Sequence, residues 1–201
     1  MSKILLQPTY FPTIESFQLL YNHDTVIFEI QEHFQKQTYR TRCNISTSNG
    51  IYAMNIPIKH QKSIHQFTKE VKIENEFAWQ KNHFKTLQNA YRSSPFFEFY
   101  EAEFELFYTK KEIYLLDFVL NSIELIFKLL QTRIEYQKTN VFEKEYQSLL
   151  DYRFLVNAKT TRQNNFKPYT QVFQNKYDFF PNLSIIDLLF NEGPNSFEYL
   201  K

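Results

Sequence analysis

The spacing of apolar positions changes several times along the chain, and each change marks an element. Ile4, Leu5, Leu6 and Gln7 form a short, nearly continuous apolar run, the pattern of a strand buried on both faces of a parallel sheet. Pro8 ends it, having no N–H to give to a ladder. Pro8 and Pro12 frame a stiff aromatic turn, Thr9-Tyr10-Phe11. Ile14, Phe17 and Tyr21 then repeat at helical spacing from about Thr13, with Glu15 in the first turn, where a negative charge suits the helix dipole. A second strand is predicted over Thr25 to Ile30. Strand, turn, helix and strand in close succession predict one βαβ unit, whose right-handed crossover lays the two strands side by side and parallel. Ligands of such sheets sit beyond the carboxyl ends of the strands. Those ends are Gln7 to Tyr10 and Glu29 to Gln31.

Farther along, Arg42 to Ile45 and Tyr52 to Ile58 flank Ser48-Asn49-Gly50, and Asn-Gly between two β-like runs predicts a hairpin. Val71 to Glu74 is a short strand candidate, followed by a helix capped by Asn75 and running to about Arg92, with Phe84, Leu87 and Tyr91 facing inward. Ser93-Ser94-Pro95 ends it. From Phe96 to Arg133 the pattern is helical with a break near Thr109 to Lys111. Leu115, Leu116, Val119, Ile123, Ile126, Phe127 and Leu130 form one stripe there. Asp117, Glu124 and Lys128 interrupt it, so no membrane span is expected. A strand near Ile134 to Tyr136, a short helix near Phe142 to Leu150 and a polar tract from Asn157 to Asn165 follow. Ser184 and Asp187 match a capping box, with Leu183 and Leu188 as its hydrophobic staple, and Gly193-Pro194 closes that last helix. The predicted fold is α/β: a small, mainly parallel sheet started by the N-terminal βαβ unit, with a β-hairpin insertion and a covering set of aromatic-rich helices, in one domain over residues 1–201.

Composition narrows the chemistry. Net charge is +1, which gives no global field toward nucleic acid or an anionic membrane, and neither is expected as a partner. The 22 Phe and 14 Tyr read as an aromatic core. With only Gly50 and Gly193 available, neither a phosphate-cradling loop nor a GxGxxG turn can form. The single Cys43 cannot make an internal disulfide, and no cleavable leader is read at the N-terminus, so a cytoplasmic location is expected.

Candidate chemistry gathers after the second strand. Lys36, Arg40 and Arg42 could clamp a phosphate or carboxylate, because a guanidinium offers a fixed fork of donors; the alternative is a solvated strand over Gln31 to Arg42. Glu29 is the best-placed general base. Gln7, Thr9, Tyr10, Gln31, Lys36, Arg40, Arg42 and His83 are the candidate ligand-binding residues. Gln7, Tyr10, Glu29, Arg40 and Arg42 are expected to converge on one pocket. Trp79 and His83, four apart on one helix face, read first as ring packing around a hydrogen-bonded histidine. No metal site is expected from His60, His65 and His83, which lack acidic or Cys partners at ligand spacing.

The turn QPTYFP, the stretch FEIQEHFQKQTYRTRCNI, the AWQKNH helix start and the ending FPNLSIIDLLFNEGPNS together resemble the WbqC-like family. Thr41 departs from it, standing where Asn is usual before the arginine, and the glycine-containing segment of longer members is missing. The resemblance makes Asp187 and Asn191 motif positions, and Pro8, Pro12, Trp79, Ser184, Asp187, Asn191 and Gly193 structural ones, with capping preferred over chemistry at Asp187. The family occurs among O-antigen and surface-polysaccharide genes. The resemblance therefore implies an enzyme of surface-polysaccharide or nucleotide-sugar metabolism that binds an anionic small molecule at the strand ends, or a non-catalytic binding or assembly factor of the same pathway. The layout is loosely similar to nucleotidylyltransferase-like folds, but TYFPTIESF holds no histidine, so nucleotidyl transfer is not expected. Neither a cofactor nor an oligomeric state is named by the sequence.

Overall fold

A computed structural model of the chain describes residues 3–59, 66–159 and 166–201. In chain order its strands are β1 (Lys3–Leu6), β2 (Thr25–Phe28), β3 (Arg42–Thr47), β4 (Gly50–Asn55), β5 (Tyr136–Lys138) and β6 (Leu150–Asp151). Its helices are α1 (Ile14–Asn22), α2 (Trp79–Tyr91), α3 (Phe97–Thr109), α4 (Leu115–Leu129), α5 (Ile185–Glu192) and α6 (Phe197–Leu200). The fold is mixed α/β. Four strands form a parallel sheet in the order β5, β2, β1, β6, while β3 and β4 pair as a separate antiparallel hairpin. Because β1 is bonded on both edges, Ile4, Leu5 and Leu6 are all buried, which is why its sequence is continuously apolar rather than alternating. The chain leaves β1 toward β2, whereas β6 adds on the other side of β1. That reversal opens a crevice at the carboxyl ends of β1 and β6.

The turn between β1 and α1 is fixed from several directions. Thr13 caps α1, its hydroxyl oxygen accepting from the Ser16 N–H at 3.3 Å. Phe11 lies at φ 39°, a left-handed conformation that side chains rarely adopt and that costs on the order of 1–3 kcal/mol unless its surroundings impose it. Here they do. The Phe11 N–H donates to Ser122 Oγ at 3.2 Å, and the Phe11 carbonyl accepts from Ser184 Oγ at 2.8 Å. Ile14 N–H donates to the Leu183 carbonyl and Ile185 N–H to the Pro12 carbonyl, so the first turn is stitched to the last long helix. Ring contacts extend the same core: Phe17 with Phe127 at 4.7 Å, Phe107 with Phe118 at 4.7 Å and Phe104 with Phe190 at 4.9 Å. All seven positions of the predicted stripe from Leu115 to Leu130 are buried. α5 stops at Gly193, whose φ is 53° and where a Cβ would run into the Phe96 ring. Among the described residues no helix is long and apolar enough to cross a membrane.

Four local expectations are overturned. Gln31 to Arg42 forms no strand, because its backbone bonds go to separate distant partners: Phe34 N–H to Gln66, Tyr39 N–H to Val156, and Tyr10 N–H to the Tyr39 carbonyl. Val71 to Glu74 makes only isolated bridges, Ile73 with Ile58 and Lys72 with Tyr114. The following helix begins at Trp79 rather than after Asn75, whose side chain instead accepts from Trp79 Nε1 and donates to the Glu112 carbonyl. Phe142 to Leu150 is not helical: up to Leu149 it is a mostly exposed connection from β5, and Leu150 opens β6. His60 and His65, and residues 160–165 of the polar tract, lie outside the described residues.

Candidate functional site

Each strand of the parallel sheet delivers a polar residue to its carboxyl end: Gln7 after β1, Glu29 after β2, Thr139 after β5, and Asp151 with Arg153 at β6. Glu29 is fully buried. Its Oε1 accepts from Thr139 Oγ1 at 2.9 Å and from the Gln31 N–H at 2.7 Å, and its Oε2 accepts from the Tyr146 hydroxyl at 3.1 Å. Arg153 Nη1 stands 4.0 Å from the same Oε2. The Arg153 guanidinium grips Asp151 with Nε at 3.0 Å and Nη2 at 2.5 Å, donates to the Glu143 and Lys144 carbonyls at 2.9 and 2.8 Å, and lies over the Phe142 and Tyr146 rings. One arginine thus fastens the whole β5–β6 connection across the strand ends. Burial alone would raise Asp151, but the Arg153 bonds outweigh it and hold the carboxyl below its ordinary 3.8.

Glu32 organises the other half of the rim. It accepts from Arg40 Nη2 at 2.6 Å and from the Gln7 side-chain amide in a short bond. Arg40 is 1% exposed; burial lowers its pKa, and Glu32 and then Glu29 pull it back up. Two buried atoms here, Arg40 Nε and Gln7 Oε1, have no hydrogen-bond partner among the described residues, a rare condition in folded proteins. In front lies an open cleft of about 570 Å³, lined by Glu32, Gln35, Lys144, Asp151 and Arg153 with the half-exposed rings of Phe142 and Phe154.

Other sequence candidates go elsewhere. Tyr10 points into the core, where its hydroxyl bonds His83 Nδ1 at 3.0 Å and Tyr108 in a short contact. His83 Nε2 lies 3.1 Å from the Asn55 carbonyl, which requires Nε2–H, so Nδ1 accepts from Tyr10. Trp79 meets His83 edge-on at 5.1 Å, the packing arrangement expected for that pair. Burial lowers the His83 pKa to about 4, against a smaller upward pull from the Asn55 carbonyl, and raises those of Tyr10 and Tyr108. Arg42 sits on β3 opposite Asn55, half-buried, its Nε without a partner among the described residues. Among the described residues no bond joins it to the Gln7–Glu32–Arg40 group. Lys36 is exposed, Thr9, Pro8 and Pro12 are buried in the turn, and Gln31 bridges the Thr139 carbonyl and Lys69.

The capping box at Ser184 is not made. Ser184 starts α5, but its hydroxyl serves Phe11, and Asp187 turns inward to accept from Tyr91 Oη at 2.6 Å, Tyr169 Oη at 2.6 Å and Gln171 Nε2 at 3.1 Å. A carboxylate reaching back to the Ser184 N–H would find that donor already bonded to the Asn44 carbonyl at 2.9 Å. Asp187 is completely buried, with no cation in contact among the described residues, and burial raises its pKa while the tyrosine, glutamine and Ser46 backbone bonds partly offset that. Asn191 donates its side-chain amide to the Asp187 carbonyl at 2.8 Å.

Sequence reasoning missed Glu32, Tyr146, Arg153, Tyr169 and Gln171. Only Asp151-x-Arg153 carried a local signal, flanking Tyr152 just past the apolar pair Leu149-Leu150. A family model described as the WbqC-like protein family matches residues 7–163 and 151–199. No curated protein and no solved structure matches the chain.

Proposed function

Since the chain belongs to the WbqC-like protein family, we propose that it binds a phosphate- or carboxylate-bearing small molecule in the cleft at the carboxyl ends of β1 and β6, as an enzyme of surface-polysaccharide or nucleotide-sugar metabolism. The observation that supports this most directly is Arg153, a mostly buried guanidinium at the cleft wall, oriented by Asp151 and joined by Lys144. A planar fork of donors held at a fixed angle suits bidentate capture of an anion. The ligand replaces the Glu143 and Lys144 carbonyls on Arg153, loosening the connection that holds Tyr146 over Glu29. Glu29 then becomes reachable as a general base.

A second reading is supported by the enclosure of Glu29, both of whose oxygens are already engaged: the chain binds its ligand without transforming it, as a binding or assembly factor. Thermal-shift screening against nucleotide sugars, acyl carriers and amino acids tests the binding. One class raises the melting temperature of the wild type, and Arg153→Ala removes that response. If no class shifts the wild type, or Arg153→Ala responds like it, the anion-site reading is wrong. Glu29→Gln divides the two readings, since an enzyme loses turnover while keeping the ligand.

A further inference from the structure

Behind the family-motif residue Asn191 lies a second cleft, of about 460 Å³, on a different group of residues from the strand-end site. Among the described residues its lining is uncharged. Ser93, Ser94, Thr170, Gln174 and Asn175 supply hydroxyls and amides, and Pro95 and Val172 supply a small apolar edge. Two amides are fixed at its base. Gln171 is 4% exposed, its Oε1 accepting from the Phe180 N–H at 2.9 Å while its Nε2 donates to the Phe180 carbonyl and to Asp187. Asn191 is 6% exposed, and its Nδ2 donates to the Asp187 carbonyl. Only the nitrogen of an amide can donate to a carbonyl, so the orientation of Asn191 is set. Its Oδ1 is left as an acceptor with no partner among the described residues, on a side chain that lines the cleft.

We infer that this cleft is a binding site for a neutral sugar unit. Hydroxyl and amide groups both donate and accept, as sugar hydroxyls do, so each ligand group finds a match. A phosphate or carboxylate would meet no cation among the described lining residues and would lose its hydration without a counter-charge. A nucleobase would find no aromatic face to stack on. Pro95 and Val172 suit the C–H face of a pyranose ring. The cleft falls within the roughly 300–1,000 Å³ typical of small-molecule sites. Asn191 marks the acceptor at its base, with its direction set by the same helix that buries Asp187.

Amide-resolved NMR titration of the full chain with glucose, galactose and N-acetylglucosamine tests this. Shifts are expected at Ser93, Ser94, Thr170, Gln174, Asn175 and the Asn191 side-chain amide, and a sugar phosphate binds no more tightly here than the free sugar. Thr170→Trp, a change at an exposed position that fills the cleft, abolishes them. Gln174→Ala with Asn175→Ala, both at the exposed rim, weakens binding by about tenfold with an unchanged melting temperature, and it serves if Thr170→Trp folds poorly. Arg153→Ala leaves these shifts intact, so the outcome is independent of the anion site. Shifts absent for every sugar, shifts confined to the Arg153 cleft, or shifts that survive in the cleft-filling and rim variants overturn the inference.

Discussion

Two regions of the molecule solve the problem of a buried charge in opposite ways. At the strand ends, Glu29, Glu32 and Asp151 are interleaved with Arg40 and Arg153, beside an open cleft and with two buried polar atoms unpartnered. At the start of α5, Asp187 is fully buried and, among the described residues, its carboxylate meets neutral donors: two tyrosines, a glutamine and the Ser46 backbone. Opposite charges beside water can exchange partners with an incoming ligand at modest cost. A carboxylate enclosed by hydroxyls cannot, because each donor it releases is left unpaired in the core. The first arrangement suits binding and the second suits holding the chain together.

The largest expected effect follows from the buried region. Asp187→Ala strands the Tyr91 and Tyr169 hydroxyls, while Gln171 keeps the Phe180 carbonyl, and at about 1–3 kcal/mol for each unsatisfied group it lowers stability by about 2–6 kcal/mol in denaturant melts. A loss under about 1 kcal/mol would erase the contrast between the two regions. His83, in the same enclosed core, gives the pH counterpart. Its folded pKa of about 4 lies below the ordinary 6.5, so the unfolded chain binds the extra proton between those values, and stability is full above pH 6.5 and falls as pH drops toward 4. The loss is on the order of 3 kcal/mol, and melts at pH 7, 5.5 and 4 flatten in His83→Phe if the assignment is right.

Smaller changes sharpen the comparison further. Ser184→Ala removes the hydroxyl that holds the Phe11 carbonyl and lowers stability by about 1–2 kcal/mol, although no side-chain cap is lost. The two carboxylates answer acid with opposite sign. Asp151, held below 3.8 by Arg153, contributes stability that disappears as pH falls through its folded value; Asp187, raised by burial, carries a penalty at neutral pH that acidification relieves. Stability against pH should therefore change in opposite directions for Asp151→Asn and Asp187→Asn. Arg153→Ala removes the bonds to Asp151 and to the Glu143 and Lys144 carbonyls and lowers stability by about 1–2 kcal/mol, the Asp151 share being small because that carboxylate is partly exposed. It is also the variant in which loss of ligand response is expected to be complete.

The sequence by itself determined the elements whose cause is local. The continuous run Ile4-Leu5-Leu6, the prolines after it and the helical spacing from Ile14 specify the parallel unit; Asn49-Gly50 specifies the hairpin; the stripe from Leu115 to Leu130 specifies the longest helix. In each, the decisive residues lie within one or two turns of each other, so periodicity and turn chemistry are sufficient. Only the tertiary structure decided the roles of the charged and hydroxyl groups. Gln7 meets Glu32 25 positions away, Tyr91 meets Asp187 across 96, and Tyr146 meets Glu29 across 117. Ser184 and Asp187 show why a local pattern can mislead. Their spacing fits a capping box, yet a buried hydroxyl and carboxylate take whichever donors and acceptors the packed core presents, and here those come from Phe11, Tyr91 and Tyr169. Apolar spacing records which face is buried, but a polar group's partner is fixed only when the chain has brought distant segments together.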